Sequence, residues 1–393
     1  KPYTLEWIMG IILKGILLLI ACAPLVYADA MFFPFVVPKM LAFEGGVLVA
    51  ALIWLILWRK NPERYKPSVT LLTVALLVYV VVMLVAALFG VNFWRSFWST
   101  YERMDGIFTW IVLVLYFVVL SSVYHSAREW RWILRVSLIA SMVVAFRAQD
   151  YIGVLEGTAP LSTYLRGVFG STLYLGVYAL FHIGIAGVLL ALERGRKNSV
   201  SRGFWVAITV IGLLANVITL VWTSSRAMFG GLVIGIALGI GWYVAFSRKW
   251  KKIFLYGALL CIIGIMALAF AKDTELGARI ISIARAPFSD ETRRINWETG
   301  WTAFLQRPLW GWGGNNYQNA QYPFYNPRLL SFNQESYDRV HNKYLEILID
   351  SGIVGFISYL FIIALIFYAL ARASRRDPVL GAVFAGIFGA YLA

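Results

Sequence analysis

Long apolar runs alternate with short polar connections along the whole chain. A helix of about 20 apolar residues crosses a bilayer core, so these runs predict about 11–12 transmembrane helices. The apolar windows lie near residues 7–28, 40–58, 69–90, 106–124, 132–152, 171–192, 203–222, 227–246, 253–271, 344–370 and 378 to the end. The first window is too long for a signal peptide and is predicted to be a retained helix. The pattern therefore predicts an all-α, polytopic integral membrane protein.

Basic residues are concentrated in alternate connections between these windows. One set of connections carries eighteen of them: Arg59, Lys60, Arg64, Lys66, Arg128, Arg131, Arg135, Arg194, Arg196, Lys197, Arg202, Arg248, Lys249, Lys251, Lys252, Arg372, Arg375 and Arg376. The short connections of the other set carry only Lys39, Arg95, Arg103, Arg166 and Arg226. Because basic residues mark cytoplasmic connections, the first set and the N-terminus are predicted to be cytoplasmic.

One connection is much longer than the others and lies, by this alternation, on the extracytoplasmic side. The predicted organisation is nine transmembrane helices over residues 1–271, the large loop over 272–340, and the last two helices over 341–393. Because the sequence stops inside an apolar run, we expect the natural chain to continue. The loop is rich in Trp, Tyr, Arg and Asn, which fits a folded ligand-binding cap, although its tryptophans can equally anchor it at the lipid interface.

Composition supports the membrane assignment and narrows the functional classes. The chain is 60% apolar and 14% charged, whereas an ordinary soluble domain is about 25% charged. Its net charge of +15 is scattered between apolar runs, which indicates membrane topology and not a nucleic-acid-binding face. Cys22 and Cys261 each lie within an apolar run, so we expect packing residues and no disulfide.

The three histidines differ in their predicted surroundings. His125 lies in a basic cytoplasmic connection, and His182 lies inside an apolar window, where a hydrogen-bonded structural histidine is favoured over a catalytic one. His341 begins the segment HNKYLEILIDSGIVGF, where a polar cluster meets the outer end of a helix. Imidazole is the side chain best suited to proton transfer near neutral pH, so His341 is the candidate general base.

Arginines form the second candidate group. Those predicted near the extracytoplasmic side are Arg147, Arg166, Arg226, Arg293 and Arg294. Arginine binds phosphate oxygens through two parallel hydrogen bonds and stays charged at any working pH. Arg147 has an alternative partner in Asp150 on the same helical face, whereas Arg226 has no acidic residue near it in sequence. Together with His341, these residues predict a base beside an anion clamp, with a lipid pyrophosphate as a fitting ligand.

Several common catalytic motifs are absent from the sequence. It contains no GxxxxGK[ST] phosphate loop, no HExxH, no CxxC and no DxD-type pair in a suitable connection. We therefore expect no nucleotide chemistry, no bound metal and no cofactor. The energy for the reaction would come from an activated donor.

Four segments, taken in order, resemble the O-antigen ligase and O-antigen polymerase family. They are YLRGVFGSTLYLG, TSSRAMFGG, RRINWETGWTAFLQRPLWGWGGNNY and HNKYLEILIDSGIVGF. The resemblance covers about residues 160–356 as motifs and the whole chain as topology. One departure is that Ser171 and Thr172 stand where family members often have Asn.

This resemblance implies a GT-C-like, all-helical glycosyltransferase that acts without a metal. It implies that His341 activates an acceptor hydroxyl and that Arg226 and Arg293 bind the pyrophosphate of the donor. Arg293 fits the family pattern better than Arg294 because it stands four residues before Trp297. Further residues are expected at the site: Arg166 and Arg147 for the pyrophosphate, and Asn342, Glu346 and Arg294 in support.

The implied partners are an undecaprenyl-pyrophosphate-linked glycan as donor and a lipid A core sugar, another glycan or a protein hydroxyl as acceptor. The implied location is the bacterial inner membrane, with the site facing the periplasm. Ligases, polymerases and protein O-glycosylating enzymes share these motifs, so the acceptor stays open. A transporter or flippase of lipid-linked or anionic glycans is the alternative class, but it would place its charges near the membrane midplane.

Topology gives the first testable prediction. A reporter fused after Lys60 or Lys197 is expected to lie in the cytoplasm, and one inserted within residues 310–330 is expected to lie outside it, because of the distribution of basic residues. Alkaline phosphatase and green fluorescent protein fusions measure this directly. The opposite pattern would overturn the orientation and, with it, the extracytoplasmic site.

Overall fold

A computed structural model describes residues 5–148, 167–194, 196–223, 225–247, 291–332 and 337–393, and these residues contain helices and turns but no strand. The chain is an all-α polytopic membrane protein. The α-helices are α1 Leu5–Ile20, α2 Val37–Lys60, α3 Pro62–Tyr65, α4 Leu71–Phe89, α5 Phe93–Trp98, α6 Ile107–Val123, α7 Ala127–Ala148, α8 Thr172–Glu193, α9 Val200–Trp222, α10 Arg226–Ser247, α11 Glu291–Gln306, α12 Tyr317–Gln321, α13 Lys343–Ser374 and α14 Pro378–Leu392.

Six of these helices are long and apolar enough to cross a membrane. They are α2, α4, α8, α9, the Ala227–Ser247 part of α10, and α13, while α6 and α14 are apolar but shorter. Helices also occupy the predicted windows at 7–28 and 132–152, but α1 ends at Ile20 and a 3₁₀ turn follows at Ala23–Leu25. Pro24 in this turn lacks a backbone N–H and cannot continue the helix. The predicted window at 253–271 lies outside the described residues.

Local sequence signals set where several helices begin. Thr70 and Thr73 cap α4 reciprocally, each side-chain oxygen accepting from the other residue's backbone N–H. Asn92 caps α5 through the N–H of Arg95, and Asp377 caps α14 immediately before Pro378. These short polar residues satisfy N–H groups that have no partner within the helix.

The described residues divide into two compact units, each with its own packing. The first comprises residues 1–20, 28–125 and 287–366. In it α1 packs on α2, and α2 and α4 pack on α6. One hydrophobic cluster joins α4 to α13 through Tyr79, Ile347 and Tyr359. Another packs α11 and α12 against the start of α13, around Phe304, Val340 and Ile349.

The second unit comprises residues 21–27, 126–286 and 367–393. There α7, α8 and α9 pack together, and α10 packs closely on α14. Gly235 allows α10 to lie this close to α14, because an added Cβ would lie 2.6 Å from the carbonyl oxygen of Gly386. His182 is buried, with its ring nitrogens 2.9 Å from the Ser137 hydroxyl and 2.8 Å from the Tyr178 carbonyl. These contacts give it the structural environment predicted from its apolar window.

Helix α13 is broken at Gly352, where φ is 63°. The break is stabilised by the glycine-rich segment 308–316, which follows α11. Trp312 N–H donates to the Ile349 carbonyl at 2.8 Å, and Gly313 N–H donates to the Asp350 carbonyl at 3.0 Å. In return, Ile353 N–H donates to the Pro308 carbonyl at 2.8 Å. Backbone groups that a continuous helix would pair internally are thus satisfied by this segment.

The same glycine-rich segment also binds the connection between α4 and α6. Val91 N–H donates to the Trp312 carbonyl at 3.0 Å, and the Ser96 hydroxyl donates to the Gly314 carbonyl at 2.8 Å. Asn316 is fully buried, and its side-chain Nδ2 donates to the Ser96 hydroxyl at 3.0 Å. The segment 308–316 therefore holds two parts of the first unit in a fixed relation.

The break at Gly352 leads to the second prediction. Gly352→Ala should lower the free energy of unfolding by more than about 2 kcal/mol, because the positive φ disfavours a side chain and an added Cβ would overlap the Leu309 carbonyl. Gly45→Ala is the matched control. It lies within α2, where an added Cβ meets nothing within 4 Å, so equal or higher stability is expected. Thermal unfolding of both purified variants in detergent measures the difference, and equal melting temperatures would contradict this account of the break.

Candidate active site

Segment 337–342 enters α13 and carries His341. Buried polar groups of α11 and α12 hold its backbone: Asn296 donates to the Arg339 carbonyl at 3.0 Å, and Gln321 donates to the Tyr337 carbonyl. Asn296 is itself held by the Tyr317 hydroxyl, which donates to its side-chain oxygen at 2.5 Å. These groups are buried, so their hydrogen bonds fix the path of the chain up to residue 339.

The residues on either side of His341 are also fixed. Val340 is fully buried in the cluster formed by α11, α12 and the start of α13. Asn342 is the N-cap of α13, since its side-chain oxygen accepts from the N–H groups of Tyr344 at 3.1 Å and Leu345 at 3.2 Å. The predicted supporting role of Asn342 thus has a geometric basis as a helix cap.

His341 adopts the left-handed conformation between these two anchors, with φ of 55°. Its side chain is exposed, and its ring packs edge-on against Tyr337 with centroids 5.6 Å apart. Exposure leaves the imidazole accessible to a substrate, while the fixed backbone determines where it can reach.

The charges around His341 favour its neutral form. Partial burial lowers the pKa of His341, Asp338 and Glu346 oppose this change, and the positive charges of Arg293 and Arg103 add to it. The net effect is a pKa below the ordinary imidazole value of about 6.5. At neutral pH the ring is therefore unprotonated and able to accept a proton.

Arg293 and Arg294 lie in the first turn of α11, and both side chains are exposed. Arg294 approaches Glu298 at 3.6 Å, four residues along the same helix. The charge of Arg293 acts on His341, as its effect on the pKa indicates. The positive charge of Arg293 thus contributes to the lowered pKa of His341, and the preference for Arg293 over Arg294 stays a prediction.

Two ion pairs connect segment 338–339 to the residues between α5 and α6. Arg103 donates to Asp338 through Nε at 2.9 Å and Nη2 at 2.5 Å. Arg339 donates to Asp105 at 2.5 Å and also to Glu346 at 2.8 Å. Burial alone would lower the pKa of Arg339, but Asp105 and Glu346 raise it, so this guanidinium remains charged.

Arg339 has a third partner in Asn315 of the glycine-rich segment, whose side-chain oxygen accepts at 3.0 Å. A cavity of about 50 Å³ lies beside this cluster, lined among others by Asp105, Lys343 and Asp350. Glu346, predicted as a supporting residue, thus acts in the structure as a partner of Arg339.

Arg147 and Arg226 belong to the second unit. Arg147 lies in the last turn of α7 with an exposed side chain, and Asp150, its alternative partner, lies outside the described residues. Arg226 begins α10. Arg166 also lies outside the described residues. Of the predicted arginines, Arg293 and Arg294 are described in the same unit as His341.

Sequence reasoning overlooked Arg103, Asp105, Asp338 and Arg339 as site residues. The available signal was Arg103, an arginine in a connection where the positive-inside rule disfavours one. Its partner lies 235 residues away in sequence, and no local pattern identifies it. The acidic and basic residues immediately before His341 were the second signal.

No curated protein matches the chain. The family model described as O-antigen ligase matches residues 210–360. The match contains α10, α11, the glycine-rich segment, His341 and the break in α13. The matched segment is therefore similar to the O-antigen ligase family.

Proposed function

We propose that this protein transfers a glycan from an undecaprenyl-pyrophosphate donor to an acceptor hydroxyl at the extracytoplasmic face of the bacterial inner membrane. The observation that carries the proposal is the exposed imidazole of His341 at the start of α13, within the matched residues 210–360, where burial and the positive charge of Arg293 lower its pKa. A base and a cation in one environment suit an acceptor that loses a proton and a donor that leaves as an anion.

The reaction follows from these two groups. The His341 imidazole accepts the proton of the acceptor hydroxyl as the acceptor oxygen bonds to the anomeric carbon of the glycan. The bond from that carbon to the pyrophosphate oxygen breaks, and its electron pair stays on the pyrophosphate. Arg293 stabilises this charge with its guanidinium fork. Because His341 is exposed, the imidazolium can then release its proton to water.

We propose a lipid A core sugar as the acceptor, in keeping with the family description. The direct test combines the purified protein with an undecaprenyl-pyrophosphate glycan and offers a lipid A core, a second glycan chain or a peptide hydroxyl in separate reactions. Mass spectrometry of the products identifies the acceptor. Transfer to none of them, with the donor bound, would contradict the proposed function.

The third prediction separates the base from the anion clamp. His341→Ala should reduce the transfer rate by about 10² to 10⁴-fold and leave donor affinity nearly unchanged, because the imidazole acts on the acceptor. Arg293→Ala should weaken donor binding as well as the rate, and Arg293→Lys should restore it in part, because lysine keeps the charge but lacks the fork. Donor affinity and product formation are measured separately on purified variants.

Two further variants complete this comparison. Arg294→Ala should have a smaller effect than Arg293→Ala, and Arg226→Ala should also weaken donor binding. Arg328→Ala is the matched control, since Arg328 is an exposed arginine whose partner at 2.9 Å is Glu291. Loss of donor binding in His341→Ala, with normal turnover at saturating donor, would assign His341 to the pyrophosphate pocket instead.

The fourth prediction concerns metals. Transfer should persist in EDTA, because three carboxylates of this cluster are already paired with arginine: Asp338 with Arg103, and Asp105 and Glu346 with Arg339. Arginine, not a divalent ion, would then neutralise the pyrophosphate. The assay is product formation after chelation. Activity that disappears and returns on addition of Mg²⁺ or Mn²⁺ would show that a metal performs this task.

A further inference from the structure

The two ion pairs beside His341 place their positive charges on opposite segments. Along residues 103–105 the cation precedes the anion, and along residues 338–339 the anion precedes the cation. Arg103 therefore meets Asp338, and Asp105 meets Arg339. If segment 338–339 slipped so that Arg339 faced Arg103, two like charges would meet. The arrangement thus favours one alignment of the two segments and penalises the neighbouring one.

The bonds of these pairs are directional as well as electrostatic. Arg103 uses two nitrogens on one carboxylate oxygen of Asp338, and Arg339 spreads its donors over Asp105, Asn315 and Glu346. The side chains of Arg103 and Arg339 are only 22% and 20% exposed. Partly buried, multiply bonded pairs resist displacement far better than exposed single contacts.

His341 lies close to these ion pairs along the chain, so they affect its position. It follows Arg339 by two residues, and its own left-handed backbone is held by buried Val340 on one side and capping Asn342 on the other. A small movement of segment 338–339 would move the imidazole directly. The ring itself is exposed, so the restraint on its position comes from the segment that leads to it.

We propose that the two ion pairs Arg103–Asp338 and Asp105–Arg339 position the imidazole of His341 for proton transfer. The inference rests on the proposed function, in which His341 is the base. The four residues do not touch the reacting atoms and act through the backbone and the electrostatic field at His341, which makes them positioning residues.

The field provides a way to distinguish positioning of the imidazole from a general contribution to stability. Among the charged groups that act on His341, Asp338 and Glu346 raise its pKa, while Arg293 and Arg103 lower it. Removing the charge of Asp338 should therefore lower the pKa of His341, and removing that of Arg103 should raise it. A pair that only stabilised the fold would give no such opposite effects.

The fifth prediction uses the full chain and the variants Asp338→Asn and Arg103→Gln. Each should lower kcat by about tenfold to a hundredfold, because small misplacement of a catalytic group is costly, while the KM for the donor stays within about twofold. The acidic limb of the pH–rate profile should move to lower pH in Asp338→Asn and to higher pH in Arg103→Gln. Because activity requires neutral His341, the acidic limb of each variant follows the pKa of His341.

A second readout does not depend on catalysis. Diethylpyrocarbonate reacts with neutral imidazole, and mass spectrometry of the His341 peptide across a pH series gives its titration directly. The same opposite shifts are expected. The double variant Arg103→Gln with Asp338→Asn removes both charges, so no unpaired charge remains. It replaces a single variant that fails to fold. Its kcat should also fall, because an amide pair lacks the strength of the ion pair.

Arg328→Gln is the matched control because it breaks an exposed ion pair with Glu291 elsewhere in the same unit. Its kcat, KM and pH profile should equal those of the wild type. Unchanged kcat in Asp338→Asn and Arg103→Gln, or titration shifts in the same direction, would overturn the inference. If the wild-type protein transfers no glycan, the proposed function fails, whereas the labelling experiment still tests the effect of the ion pairs on His341.

Discussion

The break in α13 at Gly352 is the constraint on which the rest of the first unit depends. A transmembrane helix normally satisfies its own backbone groups, and the interruption leaves carbonyls and an N–H without internal partners. In this chain the segment 308–316 supplies those partners, through Trp312, Gly313 and Pro308. The break in the helix and the path of the glycine-rich segment therefore stabilise each other.

From this mutual dependence the site follows step by step. The glycine-rich segment places Asn315, which accepts a hydrogen bond from Arg339. It also binds Ser96 and Val91, which precede the stretch that carries Arg103 and Asp105. The glycine-rich segment thus contacts Arg339 and also the residues that precede Arg103 and Asp105. Asn296 and Gln321 hold the backbone of residues 337–339, and His341 follows between buried Val340 and capping Asn342.

The sequence was most informative where the governing physics is local. Apolar windows predicted helices at the observed positions, and the polar start of HNKYLEILIDSGIVGF predicted a site at a helix end, where Asn342 caps α13. The same segment gave no sign of the break, because a single glycine in an apolar run is compatible with a continuous helix. The pairing of Arg103 with Asp338 was also out of reach, since it links residues that only the folded chain brings together.

A division among the arginines emerges from these contacts. Arg103 and Arg339 are partly buried and bonded to carboxylates, so much of their charge is neutralised within the protein. Arg293 is exposed in the first turn of α11, and its charge acts on His341. A cation that must bind an anionic donor has to be reachable from outside, whereas one that fixes a backbone segment has to be enclosed and paired. Burial therefore separates the arginines that build the site from the one proposed to serve the substrate.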